Sequence, residues 1–123
     1  MRVSVVTLFP ELIAAVTASG VTSRAVKKGL LHVECINPRE FTGDVHRTVD
    51  DRPYGGGPGM VMLPDPMILA INEAKSRARL DVGEAHQGRS APKVIYMSPQ
   101  GQPFTQAKAQ SLADAGSVVL VAG

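Results

Sequence analysis

The segment Asp50–Met62, DDRPYGGGPGMVM, combines charged side chains with a glycine-rich backbone. It lacks the Gly-Lys-Ser/Thr ending of a nucleotide P-loop and the Gly-x-Gly-x-x-Gly spacing of a dinucleotide-binding turn. Arginines beside exposed glycine N–H groups suit a phosphodiester backbone instead. A solvated loop whose charges pair with one another explains the pattern about equally well, so both interpretations stay open on the pattern alone.

A second group of residues has the types that bind metals or act as nucleophiles. His46 lies near Asp44, Asp50 and Cys35 in the chain, but their spacing fits no zinc pattern, and we expect no metal site. Cys35 and His32 are three residues apart on a predicted strand, so their side chains point to opposite faces. This spacing argues against a cysteine–histidine nucleophile.

Two further segments could bind a small ligand through their backbones. In YMSPQGQP, which begins at Tyr96, Pro99 and Gly101 predict a tight turn with outward-facing N–H and C=O groups. Such a turn can hold the edge of an adenine. The run VVLVAG ends at Gly123, where a missing side chain permits close approach of a ligand. The spacing alone favours the simpler interpretation, in which both segments are ordinary turns between strands and helices.

The surrounding pattern alternates strands and helices. Strands are predicted at 2–8, 30–36, 93–98 and 117–123, and helices at 10–19, 22–29, from 66 onward and at 104–116. This rhythm predicts an α/β fold with a mostly parallel sheet and helices on both faces. Ligands bind such sheets beyond the carboxyl ends of the strands, where both turns fall.

Local signals refine the helices. Gly20 is expected to end the first helix, Thr22 or Ser23 to cap the second, and Gly29 to end it. The third is expected to start at Pro66 after an Asp65 cap, and Thr105 should cap the fourth. The predicted apolar stripe of the third helix comprises Met67, Ile68, Ile71 and Ala74. The polar segment 81–92 is predicted to be a disordered loop.

Composition bounds the class of protein. The chain has 123 residues and 44% hydrophobic residues, enough for one domain with its own core. A net charge of +2 permits a nucleic-acid partner without requiring one, and 4% aromatic residues disfavour a base-stacking platform. The single cysteine suggests a reducing compartment. Pro10 and Glu11 interrupt the N-terminal apolar run, which disfavours a signal peptide.

Four motifs together resemble one family over nearly the whole chain. TLFPE, FTGDVHRTVDDRPYGGGPGMVM, YMSPQGQPFTQ and VLVAG, in this order, resemble the bacterial tRNA (guanine-N1)-methyltransferases of the TrmD type, which are SPOUT methyltransferases. The resemblance implies methyl transfer from S-adenosylmethionine to N1 of the guanine immediately 3′ of a tRNA anticodon. It also implies a cytoplasmic homodimer with active sites at the subunit interface, and a trefoil knot, which is an exception to the rule against threaded chains.

The resemblance also implies roles for particular residues. The cofactor-binding residues would be Tyr96, Met97, Ser98, Pro99, Gln100, Gly101 and Gly123. The RNA and target-base side would comprise His46, Arg47, Asp50, Arg52, Tyr54, Gly55, Gly56, Gly57 and Gly59. No metal ligand is implied. The bare backbone of the central segment would let RNA and the partner subunit approach closely.

The family continues beyond Gly123, and this bears on catalysis. The segments that complete the knot, the aspartate that takes the N1 proton and a C-terminal RNA-binding domain lie in that continuation. We therefore expect residues 1–123 to form the N-terminal part of the cofactor-binding domain and to be inactive alone, because N1 of guanine needs a base within reach. Asp50 is assigned a supporting role. Ala122 replaces the usual cysteine of the family, a change that we regard as neutral. The alternatives are a non-catalytic RNA-binding module on the same fold and a nucleotide-binding protein that uses the glycine-rich loop.

Overall fold

The computed structural model describes residues 1–42, 50–51, 61–62, 64–82 and 92–122. Its elements, in chain order, are β1 (Arg2–Thr7), α1 (Pro10–Thr17), α2 (Gly20–Lys27), β2 (His32–Ile36), a 3-10 turn (Pro38–Phe41), β3 (Asp50–Asp51), β4 (Val61–Met62), α3 (Pro64–Val82), β5 (Lys93–Tyr96), α4 (Gln106–Ala115) and β6 (Ser117–Ala122). Strands and helices alternate along most of the chain, as the sequence pattern predicts.

The main sheet has four strands in the order β2-β1-β6-β5, and every neighbouring pair is parallel. β1 and β6 are its central strands, and their β-branched runs suit strands that are covered on both sides. The predicted parallel α/β sheet is therefore confirmed. A separate antiparallel pair joins β3 to β4, with Asp50 opposite Met62 and Asp51 opposite Val61.

Helices cover both faces of this sheet. On one face α3 packs over β1, β6 and β2, and the core there comprises Val6, Ile36, Ala70, Ala74, Val119 and Val121. The register places Val3 beside Val118 and Val5 beside Leu120 on the opposite face. The connections through α1–α2 and through α4 both lead toward the β2 edge of the sheet, whereas the connection through α3 leads toward the β5 edge. Right-handed crossovers then put those helices on this second face.

The boundary between α1 and α2 differs from the prediction. Gly20, expected to end α1, is instead the first residue of α2, and Ser19 occupies the N-cap position without a side-chain cap bond. Capping by Thr22 or Ser23 is therefore wrong. Gly20 has a φ of +72°, a conformation that glycine adopts readily, and this lets the chain turn directly from one helix into the next. The predicted stop at Gly29 is confirmed by its φ of +75°.

α3 also differs from its predicted limits. It begins at Pro64 rather than Pro66, so Asp65 lies in its first turn instead of capping it. The helix continues to Val82, so residues 81 and 82 are helical and not loop. The remaining prediction of a disordered loop falls mainly on residues 83–91, outside the described residues.

The buried stripe of α3 consists mainly of alanines. Ala70, Ala74 and Ala78 have no exposed surface, whereas Ile68 is 53% exposed. Placing Ile68 in the core was therefore wrong, although Met67 and Ile71 do pack against it as predicted. Alanines at four-residue spacing put the helix backbone close to the sheet, which leaves little room there for larger side chains.

α4 begins and ends as predicted. Thr105 occupies the N-cap position, and its Oγ1 accepts a hydrogen bond from the Lys108 backbone N–H at 3.1 Å. Gly116 ends the helix with a φ of +82°. Among the described residues, no helix combines the length and the apolar character needed to cross a membrane.

Candidate functional site

The segment that follows β5 lies at the carboxyl edge of the sheet, beside the end of β6. The backbone N–H of Met97 donates a hydrogen bond to the carbonyl of Val121 at 3.0 Å. Thr7, at the end of β1, pairs with Ala122 in the register of the sheet. The structure therefore brings the segment 96–101 next to the last residues of β6, while Gly123 lies outside the described residues.

Residues 98–101 form the tight turn that the sequence predicts. The N–H of Gly101 donates to the Ser98 carbonyl at 3.1 Å, and the N–H of Gln100 donates to Ser98 Oγ at 3.2 Å. A Cβ at position 101 would lie 3.3 Å from the Ser98 carbonyl oxygen, which is a tight contact. Glycine therefore allows the turn to close. We call residues 96–101 the cofactor turn, after the role that the resemblance predicts for them.

Some backbone donors of this region are free to bind a ligand. Within the part of the chain that the structure describes, the N–H groups of Ser98 and Gln102 donate to no protein acceptor. These groups flank the bonded N–H groups of Gln100 and Gly101. Donors that a turn holds in place at a strand end suit the polar edge of a planar heterocycle.

A cleft of about 860 Å³ adjoins the cofactor turn. Its lining comes from the cofactor turn, from the face of the sheet that carries Val118, and from α4 and the residues before it. The lining residues are Met1, Val3, Lys93, Val94, Ile95, Tyr96, Met97, Ser98, Gly101, Gln102, Phe104, Lys108, Leu112, Val118 and Leu120. Most of these side chains are apolar, and Tyr96 and Phe104 are 66% and 73% exposed. A cleft of this size and character suits a ligand with a flat apolar ring.

Sequence reasoning missed the part of this cleft that α4 supplies. Phe104, Lys108 and Leu112 line it, together with Val3 and Leu120 from the sheet. Phe104 stands directly before the Thr105 cap, and the sequence pattern predicts for it only a place at the start of the helix. Its position in the cleft depends on the packing of α4 against β6, which no local pattern reveals.

Only part of the predicted RNA side can be located. Asp50 lies in β3, where its backbone pairs with Met62. This antiparallel pair brings the two ends of the glycine-rich segment together. The predicted residues His46, Arg47, Arg52, Tyr54, Gly55, Gly56, Gly57 and Gly59 all lie outside the described residues.

Neither Cys35 nor His32 belongs to the cleft. Burial, followed by the negative charge of Glu34, raises the pKa of the Cys35 thiol. The register places Cys35 beside Val5 and His32 beside Arg2, so the two side chains lie on opposite faces, as predicted. Within the described ranges, no three His, Cys, Asp or Glu side chains are grouped closely enough to hold a metal ion.

The fold and cleft together define an α/β domain with a tight turn at the carboxyl edge of its parallel sheet and an apolar cleft beside that turn. The family model described as "tRNA (Guanine-1)-methyltransferase TrmD" matches residues 1–123, and the chain belongs to this family. The resemblance drawn from the four motifs is thereby confirmed.

Individual relatives agree with this assignment. The chain is 55% identical over 123 residues to the tRNA (guanine-N(1)-)-methyltransferase of Aeromonas salmonicida (strain A449), covering 100% of this chain and 45% of that protein. It is 54% identical over 121 residues to the enzyme of that name from Alcanivorax borkumensis, covering 98% of this chain and 42% of that protein. The chain thus spans a little under half the length of these relatives.

A solved structure supports the fold independently. The crystal structure of tRNA (m1G37) methyltransferase from Aquifex aeolicus superimposes with a TM-score of 0.75 at 32% identity. The match covers 98% of this chain and 50% of that one. The described sheet and helices therefore correspond to the fold of a tRNA methyltransferase.

Proposed function

We propose that this chain is part of an enzyme that transfers a methyl group from S-adenosylmethionine to N1 of the guanine immediately 3′ of a tRNA anticodon. The observation that carries the proposal is the family match over all 123 residues. The described geometry supports it, because a turn with free N–H groups lies at the carboxyl edge of the sheet and an apolar cleft along the face of the sheet adjoins that turn.

The cofactor turn, with Gly123, holds the adenosyl part of S-adenosylmethionine in this proposal. Two observations support the fit. The free N–H groups of Ser98 and Gln102 match the polar edge of adenine, and the apolar cleft matches its flat ring. When bound, S-adenosylmethionine supplies an electrophilic methyl group. The residues of this chain bind and orient its adenosyl part.

The central segment contacts the RNA in this proposal. His46, Arg47, Arg52 and Tyr54, with the glycines at 55, 56, 57 and 59, supply the cations and bare backbone that suit a phosphodiester chain. Asp50 orients the RNA or the neighbouring arginines. The N1 proton leaves to an aspartate beyond Gly123. The enzyme acts as a cytoplasmic homodimer whose active sites form at the subunit interface.

The test combines cofactor binding with methyl transfer. The protein at its natural length is titrated with S-adenosylmethionine and then assayed on a tRNA transcript with guanine 3′ of the anticodon and on a matched transcript with adenine there. We expect cofactor binding, and methylation of the guanine transcript only. RNA binding without cofactor binding would identify a non-catalytic RNA module. Binding of ATP or GTP that Gly57→Val abolishes would identify a nucleotide-binding protein.

Two variants separate the two binding roles. Gln100→Ala is expected to weaken binding of S-adenosylmethionine while tRNA affinity stays unchanged. Arg52→Ala is expected to weaken tRNA binding while cofactor affinity stays unchanged. Lys75→Gln, on α3 and outside the cleft lining, serves as the control for both. If both variants weakened binding of the same ligand, the division into a cofactor turn and an RNA segment would be wrong.

A further inference from the structure

We propose that one face of α2 is a second contact surface for tRNA phosphates, remote from the cofactor turn. The surface consists of Arg24, Lys27 and Lys28, and we call it the α2 basic face. The proposal rests on tRNA being the substrate, as proposed above. It adds a part of the chain to which none of the motifs assigns a role.

Helix geometry groups the three cations. Positions 24, 27 and 28 stand in the relation i, i+3 and i+4, so their side chains project from neighbouring points on one side of the helix. All three residues are exposed, so their side chains are accessible to a partner. The cations also lie at the C-terminal end of α2, where the helix dipole favours positive charge.

Among the residues that the structure describes, the α2 basic face has no counter-charge in an ion pair. Within the described part of the chain, none of its three cations forms an ion pair, whereas Arg77 pairs with Glu34 and Glu73. The chain holds 13 lysines and arginines against 11 aspartates and glutamates, so without these three the balance becomes ten against eleven. The net charge of the chain, +2, is therefore smaller than the combined charge of the three cations on this face.

The α2 basic face lies at the opposite edge of the sheet from the cofactor turn. Just after α2, the Leu30 carbonyl accepts a hydrogen bond from the Met1 amino group at 3.0 Å, and the N–H of His32 donates to the Met1 carbonyl at 2.9 Å. This end of α2 therefore lies at the amino edge of the sheet, next to the positively charged chain terminus. A six-residue strand such as β1 separates the two edges by roughly 20 Å.

This separation limits what the α2 basic face can bind. A ligand the size of S-adenosylmethionine that occupies the cofactor turn does not reach it. A folded tRNA is large enough to span both places and presents phosphates along its whole length. Lysine and arginine bind such phosphates with release of counterions, which makes the contribution dependent on salt. The surface therefore strengthens tRNA binding and has no part in the chemical step.

The experiment measures tRNA affinity against salt concentration. The triple variant Arg24→Gln, Lys27→Gln, Lys28→Gln is compared with the unchanged protein, both at natural length, by filter binding from about 50 to 300 mM KCl. We expect the slope of log K against log salt to become shallower by roughly 2 to 3, because up to three phosphate contacts are lost. Methylation should show a higher KM for tRNA and an unchanged kcat at saturating tRNA.

A matched pair of single variants controls for net charge. Lys28→Gln and Lys75→Gln remove the same charge, but only Lys28 belongs to the α2 basic face. Lys28→Gln should lower the salt slope by roughly 0.7 to 0.9 and Lys75→Gln should leave it unchanged. Equal effects of the two variants would overturn the proposal. Thermal unfolding of each variant verifies that the fold is retained.

The remaining outcomes separate this proposal from the proposed function. Normal methylation by the unchanged protein with an unaltered salt slope in the triple variant would overturn only the α2 basic face. A changed slope in a protein that binds tRNA but methylates none would support the surface and overturn the enzymatic proposal. If the triple variant kept its tRNA slope and lost binding to phosphatidylserine vesicles, the surface would belong to a membrane contact and the proposal would be wrong.

Discussion

Glu34 of β2 pairs with Arg77 of α3, although the two residues are 43 positions apart in the chain. The same carboxylate also accepts a hydrogen bond from Arg2 of β1. Arg77 Nε in turn donates to Glu73 at 2.8 Å. These bonds to Glu34 and Glu73 raise the pKa of Arg77 above its usual value. One partly buried carboxylate thus ties two strands to the helix that covers them.

We expect Glu34→Ala to lower the free energy of unfolding by about 1–3 kcal/mol, because it removes a carboxylate that serves two arginines. Arg77→Ala should cost about 1 kcal/mol or less, since its side chain is 40% exposed and water screens the pair. Urea denaturation measures both values. Lys75→Ala is the control on the same helix. A larger loss for Arg77→Ala than for Glu34→Ala would show that the carboxylate is not the centre of this network.

The alanine stripe of α3 predicts effects of very different size at a buried and an exposed position of the helix. Ala74→Leu should destabilise the protein by about 1–3 kcal/mol, because the fully buried site has no space for a larger side chain. Ile68→Ala should change stability by less than about 0.5 kcal/mol, since Ile68 is exposed. Thermal or urea unfolding of the pair tests the packing. The reverse order of effects would contradict the observed orientation of α3.

The close contact at Gly101 predicts a local effect on the cofactor turn. Gly101→Val should weaken binding of S-adenosylmethionine by roughly tenfold or more, because a Cβ would press on the Ser98 carbonyl and open the turn. Calorimetric titration measures the change. Gly29→Ala is the control, since an alanine at a φ of +75° would be strained at a place far from the turn. That variant should lose stability but keep its cofactor affinity, and equal losses of affinity would refute a local role for Gly101.

The Thr105 cap should matter for stability through its side-chain oxygen. Thr105→Ala is expected to cost about 1 kcal/mol, because the N–H of Lys108 loses its acceptor at the start of α4. Thr105→Ser keeps that oxygen and should recover most of the loss. Chemical denaturation of the two variants provides the comparison. A serine variant as unstable as the alanine variant would mean that the hydroxyl is not the stabilising group.

Cys35 makes stability fall at alkaline pH. Burial raises the pKa of its thiol in the folded protein, so the unfolded chain loses the proton first as pH rises. The folded state then holds more protons than the unfolded state, and its stability declines as pH rises through the unfolded pKa of about 8.5. Urea unfolding of the unchanged protein and of Cys35→Ala from pH 7 to 10 tests this. The alanine variant should show a smaller decline, and identical declines would contradict the shift.

Local sequence patterns determined most of the elements and identified the family. The features that were predicted correctly all act through nearby residues. They are the β-branched runs of β1 and β6, the Thr105 cap, the turn glycines at 29 and 116 and the Pro99–Gly101 turn. The four motifs identified the family because their order and composition are specific to it.

Tertiary structure decided which surfaces of these elements meet. Four features depend on how elements far apart in sequence pack together. Ala70 and Ala78 face inward in place of Ile68, and α2 starts at Gly20. A cleft forms between α4 and the sheet, and Glu34 pairs with Arg77. A hydrophobic pattern shows that a helix has an apolar side. Only the order and register of the strands determine which residues that side contacts, because the contacts join segments that no local spacing relates.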